Sequence, residues 1–190
     1  MSQDFLSLPH VEAKTNIMVM NAVSTTVNNN VERVYDFISA EDVDRDFLQA
    51  QTTISDEQDG ESQPDKPKML GYEIEVGPWG QKGATRVTSL EGDISFRETV
   101  IDCQRPHYFQ YMLTDFNGGW FEGLVDLGIS TFYFSPHGPR THINWMYEMR
   151  PACKDRLDDT EQFMSKFWHP WQQSLLAIVK EALDKDPWSA

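Results

Sequence analysis

The stretch from Asp158 to Asp184, DDTEQFMSKFWHPWQQSLLAIVKEALD, constrains the fold more than any other part of this 190-residue chain. Phe163, Phe167, Trp171, Leu175, Ile178 and Ala182 recur at steps of three and four and so share one face of an α-helix, widened by Trp168, Leu176, Val179 and Leu183. A helix this apolar must be covered. Asp158 followed by Glu161 reads as an N-cap and capping box, and Asp186-Pro187 as a stop. The helix of about 26 residues would then span roughly 39 Å at about 1.5 Å per residue, enough to cross a domain. Pro170 falls in the middle of it, where it removes a backbone hydrogen bond and crowds the preceding turn, so a kink or a break is expected there.

What could cover the helix lies upstream. The run from Ile17 to Val27 is rich in β-branched residues and reads as a strand. Asn29 with Glu32 caps a short helix whose apolar face is Val31, Val34, Tyr35 and Ile38, and a second short helix is expected from Glu41 to Leu48. Strands follow over 70–76, 84–90, 94–103, 108–116, 124–134 and 141–150, separated by turns such as GPWGQKG and Glu91-Gly92-Asp93. Connections this short make neighbouring strands antiparallel. The expected fold is therefore α+β: a curved seven-stranded antiparallel sheet wrapped around one long C-terminal helix, with two short helices after the first strand. Residues 1–16 read as an N-terminal arm and 17–186 as a single domain, interrupted at 55–68 by SDEQDGESQPDKPK, whose composition is that of a mobile acidic loop.

With 39% hydrophobic residues and six tryptophans the chain can bury a core of its own. A formal net charge of −14 sets it against phosphate backbones and anionic membranes, so no nucleic acid partner and no membrane insertion are expected. No basic leader followed by an apolar run opens the sequence, and no apolar stretch reaches the length of a membrane span, which points to the cytoplasm. Cys103 and Cys153 are then expected as free thiols. The five histidines lack metal-site spacing, so neither a metal nor a cofactor is expected, and a monomer or homodimer is the expected assembly. Gly77, Gly80 and Gly83 precede a strand rather than a helix and do not form a phosphate loop; no Ser-His-Asp order or nucleophile elbow is present.

In element order and in several segments the chain resembles the START-like, or helix-grip, superfamily (SRPBCC), specifically its polyketide cyclase/dehydrase-type members. The segments are GPWGQKGATRVTSLEGDISFRETV (77–100), RPHYFQYMLTDF (105–116), TFYFSPHGPRTHINWMYEMRP (131–151) and the closing amphipathic helix. The resemblance implies a hydrophobic cavity between sheet and helix, used in the superfamily to cyclise polyketides, carry lipids, bind quinones or sense small molecules. It carries no catalytic motif across.

The candidate site residues come from the strand pattern. Arg86 and Glu98 lie on consecutive strands across the 91–93 turn, where a cross-strand pair could bind or polarise a carbonyl, or could be structural. Tyr111, Trp145 and Tyr147 fall on inward faces, opposite Phe163, Phe167 and Trp171 of the helix; all of these could line a ligand site or fill a core. Catalytic candidates are Arg86, Glu98 and Tyr111. Asp115, Asn117, Trp120 and Glu122 surround a Gly-Gly turn where a cavity mouth could lie. The leading expectation is a module that binds a small hydrophobic molecule, lipid-like, aromatic, polyketide or quinone. The alternatives are a cyclase/dehydrase-type enzyme using the same cavity and a protein-interaction module.

Overall fold

Each strand of the sheet lies beside its neighbour in sequence, except that the first strand closes against the last. The computed structural model describes residues 16–40 and 69–185. The elements are β1 (Val19–Val27), α1 (Val31–Ile38), β2 (Met69–Val76), β3 (Thr85–Leu90), β4 (Ile94–Gln104), β5 (Tyr108–Asn117), β6 (Val125–His137) and β7 (Arg140–Pro151). A 3₁₀ turn (Lys154–Arg156) then leads into α2 (Leu157–Phe163), a π-helical turn (Met164–Trp168) and α3 (His169–Lys185). The seven strands form one antiparallel sheet in the order β1-β7-β6-β5-β4-β3-β2. Alternation along β4 shows how the sheet is sided: Ile94, Phe96, Glu98 and Val100 are buried while Ser95, Arg97 and Thr99 are less so. The helix approaches the sheet most closely along β1. The helix expected at 41–48 and the loop expected at 55–68 lie outside the described residues, as does the arm at 1–15.

Two caps differ from the sequence reading. Asn30, not Asn29, caps α1 by accepting the Arg33 N–H at 2.9 Å. Asn29 is buried and donates through Nδ2 to the Leu183 carbonyl at 2.6 Å, tying the end of α3 to the start of α1. Beside it Asp184 accepts the Asn28 N–H at 2.7 Å and pairs with Lys180, which also donates to the Thr26 carbonyl. Asp158 is not a cap either: the 3₁₀ turn has already begun the helix, and Asp158 and Asp159 sit in the first turn of α2, where acidic groups suit the helix dipole.

At Pro170 the helical chain continues through a π-turn rather than breaking into two separate helices. In an α-register its ring would crowd the Lys166 carbonyl and its missing N–H would leave that carbonyl unbonded. The chain instead widens into the π-turn, in which the His169 N–H donates to the Met164 carbonyl. One extra residue in that turn rotates the preceding side chains relative to the following ones. Trp168 becomes the buried residue at the centre of the helix face, and Phe163 and Phe167 are left half-buried.

Candidate functional site

Arg86 and Glu98 are directly opposed in the β3–β4 register, set by the tight turn that pairs Leu90 with Ile94. Both are turned into the interior, 5% and 4% exposed, and Arg86 Nε donates to Glu98 Oε2 at 2.5 Å. Thr88, two residues along the same face, donates its hydroxyl to the same carboxylate oxygen at 2.9 Å. The guanidinium lies 3.8 Å from the centre of the Trp79 ring and 5.1 Å from that of Tyr72. Trp79 belongs to the GPWGQKG connection. Gly80, at φ +89°, lets that loop approach α1 closely, because a Cβ there would meet the Ser39 carbonyl oxygen at 2.9 Å. The loop thereby folds Trp79 over the arginine.

Next to the ion pair runs a rung of the sheet in which Tyr111, Ser130 and Tyr147 face one another on β5, β6 and β7. The small side chain of Ser130 lets the flanking tyrosines converge, and their hydroxyls share a hydrogen bond at 3.0 Å. Trp145 donates its indole N–H to Ser130 Oγ at 2.9 Å. Burial pushes the Tyr111 hydroxyl well above its ordinary pKa, the Glu98 charge adds to this, and hydrogen bonds with Ser130 and Tyr147 only partly offset it. Tyr147 is raised for the same first reason, then by Tyr111 and Glu98. Both phenols therefore keep their protons at neutral pH, and one of the two protons lies in the hydrogen bond they share.

Four sequence candidates from the sheet, Arg86, Glu98, Tyr111 and Tyr147, thus come together, with Trp145 joined through Ser130. The helix candidates divide. Trp171 is buried with its ring 4.6 Å from that of Trp168. Phe163 and Phe167 stack on each other, and Phe167 meets Trp120 at 4.4 Å, so these three form an aromatic cluster between α2, the π-turn and the β5–β6 loop. Asp115, at φ +53°, is exposed and pairs with Arg97 on the outer side of the sheet, together with Glu75. It is no buried base. Trp79, Thr88, Ser130 and Trp168 are the interior residues that sequence reasoning passed over as site members; the signal for Trp79 was a lone large aromatic between two glycines. Among the described residues no group of His, Cys, Asp and Glu is placed to hold a metal ion, and no helix is long and apolar enough to cross a membrane.

No protein-family model matches the sequence and no curated protein resembles it. Solved structures do resemble the fold. Truncated norcoclaurine synthase from Thalictrum flavum superposes with a TM-score of 0.62 at 15% identity, over 88% of this chain and 95% of that one. Ginseng major latex-like protein 151 from Panax ginseng gives 0.61 at 8% identity, over 87% and 97%. A protein from Nitrosospira multiformis gives 0.56 at 16% identity, over 88% and 96%. At such identities the likeness is one of architecture, and the chain shares with these proteins the helix-grip fold: a seven-stranded antiparallel sheet closed by a long C-terminal helix.

Proposed function

We propose that residues 17–186 form a single binding domain that holds a small hydrophobic molecule carrying a carbonyl between the sheet and the C-terminal helix. The observation that carries this reading is the interior polar group of Arg86, Glu98, Tyr111 and Tyr147, set among aromatic rings. A buried ion pair is weak evidence of stabilisation, because desolvating both charges offsets most of their attraction. A cation and two protonated phenols on one inner wall instead suit an oxygen function on an otherwise apolar ligand, aromatic, lipid-like, polyketide or quinone. Solved helix-grip proteins add support of the same kind: one norcoclaurine synthase structure is a complex with dopamine and hydroxybenzaldehyde.

Native mass spectrometry of freshly purified protein tests for a co-purifying small molecule. Titration with flavone, against flavan as its carbonyl-free counterpart, tests the chemistry. Tyr111→Phe keeps the ring and removes one donor, and should weaken flavone about 2- to 10-fold while leaving flavan unchanged. Failure of both compounds to bind, with no co-purified molecule, overturns the reading.

A second reading, a cyclase- or dehydrase-type enzyme, is favoured by one observation: the paired Tyr111 and Tyr147 hydroxyls lie beside the buried Arg86–Glu98 pair, an arrangement suited to hydrogen-bonding the oxygen of a reacting carbonyl. Turnover of a polyketide-like carbonyl compound that is lost in both Tyr111→Phe and Tyr147→Phe would separate catalysis from plain binding.

A further inference from the structure

The helix face turned toward the sheet carries two buried polar atoms that have no hydrogen-bond partner among the described residues, Trp168 Nε1 and Gln172 Oε1. Trp168 is 1% exposed and Gln172 0%. The orientation of the Gln172 amide is fixed, since Nε2 donates to the Trp145 carbonyl at 2.9 Å and a flipped amide would set oxygen against oxygen. Its Oε1 therefore presents an acceptor. Trp168 stands edge-on to Tyr147, ring centres 5.0 Å apart, and presents a donor. The two residues are four apart, so their Cβ atoms are neighbours at about 6 Å on one helix face. Trp168 closes the π-turn and Gln172 lies in the first turns of α3, so the pair sits where the widened turn meets the regular helix; such turns recur at functional sites.

A donor and an acceptor one helical turn apart are complementary to a hydroxyl lying between them, which accepts from the indole and donates to the amide. A carbonyl would satisfy Trp168 alone, and an ammonium Gln172 alone. A single water would ordinarily make about three hydrogen bonds, whereas this pair offers two and the surrounding walls are the rings of Phe121, Tyr147 and Trp171. Buried polar atoms left unmatched are costly, so their conjunction in an aromatic setting points to a partner that brings its own apolar surface.

We infer that Trp168 and Gln172 form a hydroxyl-recognition subsite on the helix wall, so that the ligand is a hydroxylated carbonyl compound, its carbonyl on the sheet wall and its hydroxyl on the helix wall. This rests on the ligand reading above and narrows it.

The test compares flavone with its 7-hydroxy and 4′-hydroxy derivatives, which share the carbonyl and the apolar frame. At least one hydroxylated probe should bind about tenfold more tightly than flavone, and Trp168→Phe should bring that ratio to near one. Gln172→Met should do the same. It also removes the bond to Trp145, so Trp168→Phe and the indole ¹⁵N–¹H resonance of Trp168 decide the matter if that variant folds poorly. The resonance, assigned by its loss in Trp168→Phe, should move with the hydroxylated probe and stay with flavone. Equal binding of all three probes with an unmoved resonance overturns the subsite and leaves the binding reading standing. No binding by any of the three overturns both.

Discussion

The Arg86 guanidinium lies face-on to Trp79, 3.8 Å from the ring centre, while Glu98 holds its Nε at 2.5 Å. The ring quadrupole and the carboxylate together replace the hydration that the arginine gives up on folding. Each member of this arrangement makes burial of the others tolerable. Arg86 and Glu98 should thus be far more costly to lose singly than together.

Glu98→Gln, which removes the carboxylate charge held against the buried Arg86 guanidinium, should lower unfolding free energy by about 3–5 kcal/mol in urea titrations. Arg86→Met combined with Glu98→Leu should be neutral or more stable by about 1–4 kcal/mol. A double variant that loses as much as the single one would show the pair to be a net source of stability.

The tyrosine pair sets the alkaline limit. Both hydroxyls have pKa values raised in the folded protein above the unfolded value of about 10. Below about pH 10 neither state releases these protons and their contribution is intact; above it the unfolded chain ionises first, so stability falls as pH rises toward the folded-state values. Unfolding at stepped pH should show this decline, and Tyr111→Phe with Tyr147→Phe should reduce it, the remainder coming from Tyr35 and Tyr108, which burial also raises. Tyrosinate absorbance should also show Tyr111 and Tyr147 among the last residues to ionise.

Asp184 works in the opposite direction. Burial alone would raise its carboxyl, but hydrogen bonds from Lys180 and the Asn28 N–H outweigh that and hold it below its ordinary value. Its contribution is full above the unfolded pKa of about 3.9 and disappears as pH falls through the folded-state value. The stability gap between wild type and Asp184→Asn should be clear at neutral pH and close in acid. A gap that persists in acid would mean that geometry, not charge, makes the latch.

Periodicity and turn chemistry made most of the sheet legible, since a period of two and hairpin-short turns leave little choice of neighbour. The same turn at 91–93 sets Arg86 opposite Glu98, which made the pair legible in the sequence. The caps failed because Asn28, Asn29 and Asn30 are chemically alike, and tertiary contact with Leu183 decides which of them is free to cap. Trp79 was hidden because turn residues are read for backbone conformation, not for where a side chain between them will lie. The helix face was legible from Trp171 to Leu183, with Trp168 on it; what Pro170 obscured was the turn before it, because a widened turn and a kink share one sequence signal while placing Phe163 and Phe167 differently.

That ambiguity leads to a test of what holds the π-turn. Pro170→Ala restores an N–H and removes the ring, so the Lys166 carbonyl could again accept in an α-register, a local gain of about 1 kcal/mol for the bond. Reverting would take one residue out of the turn and shift the segment before it against α3, disturbing the packing of Trp168 on Phe121, Tyr147 and Trp171, and losing a buried aromatic costs about 3–5 kcal/mol. Asn21 adds to the balance by donating to the Met164 carbonyl at 3.3 Å across to β1. Packing should therefore win, and Pro170→Ala should keep Trp168 buried, with unshifted tryptophan emission and slow exchange of the His169 amide. In a Trp168→Ala background the packing term is gone, and adding Pro170→Ala should then let the turn close to an α-helix, visible as altered resonances across 164–170. A red-shifted emission in Pro170→Ala alone would show that the proline, and not the buried indole, holds the widened turn in place.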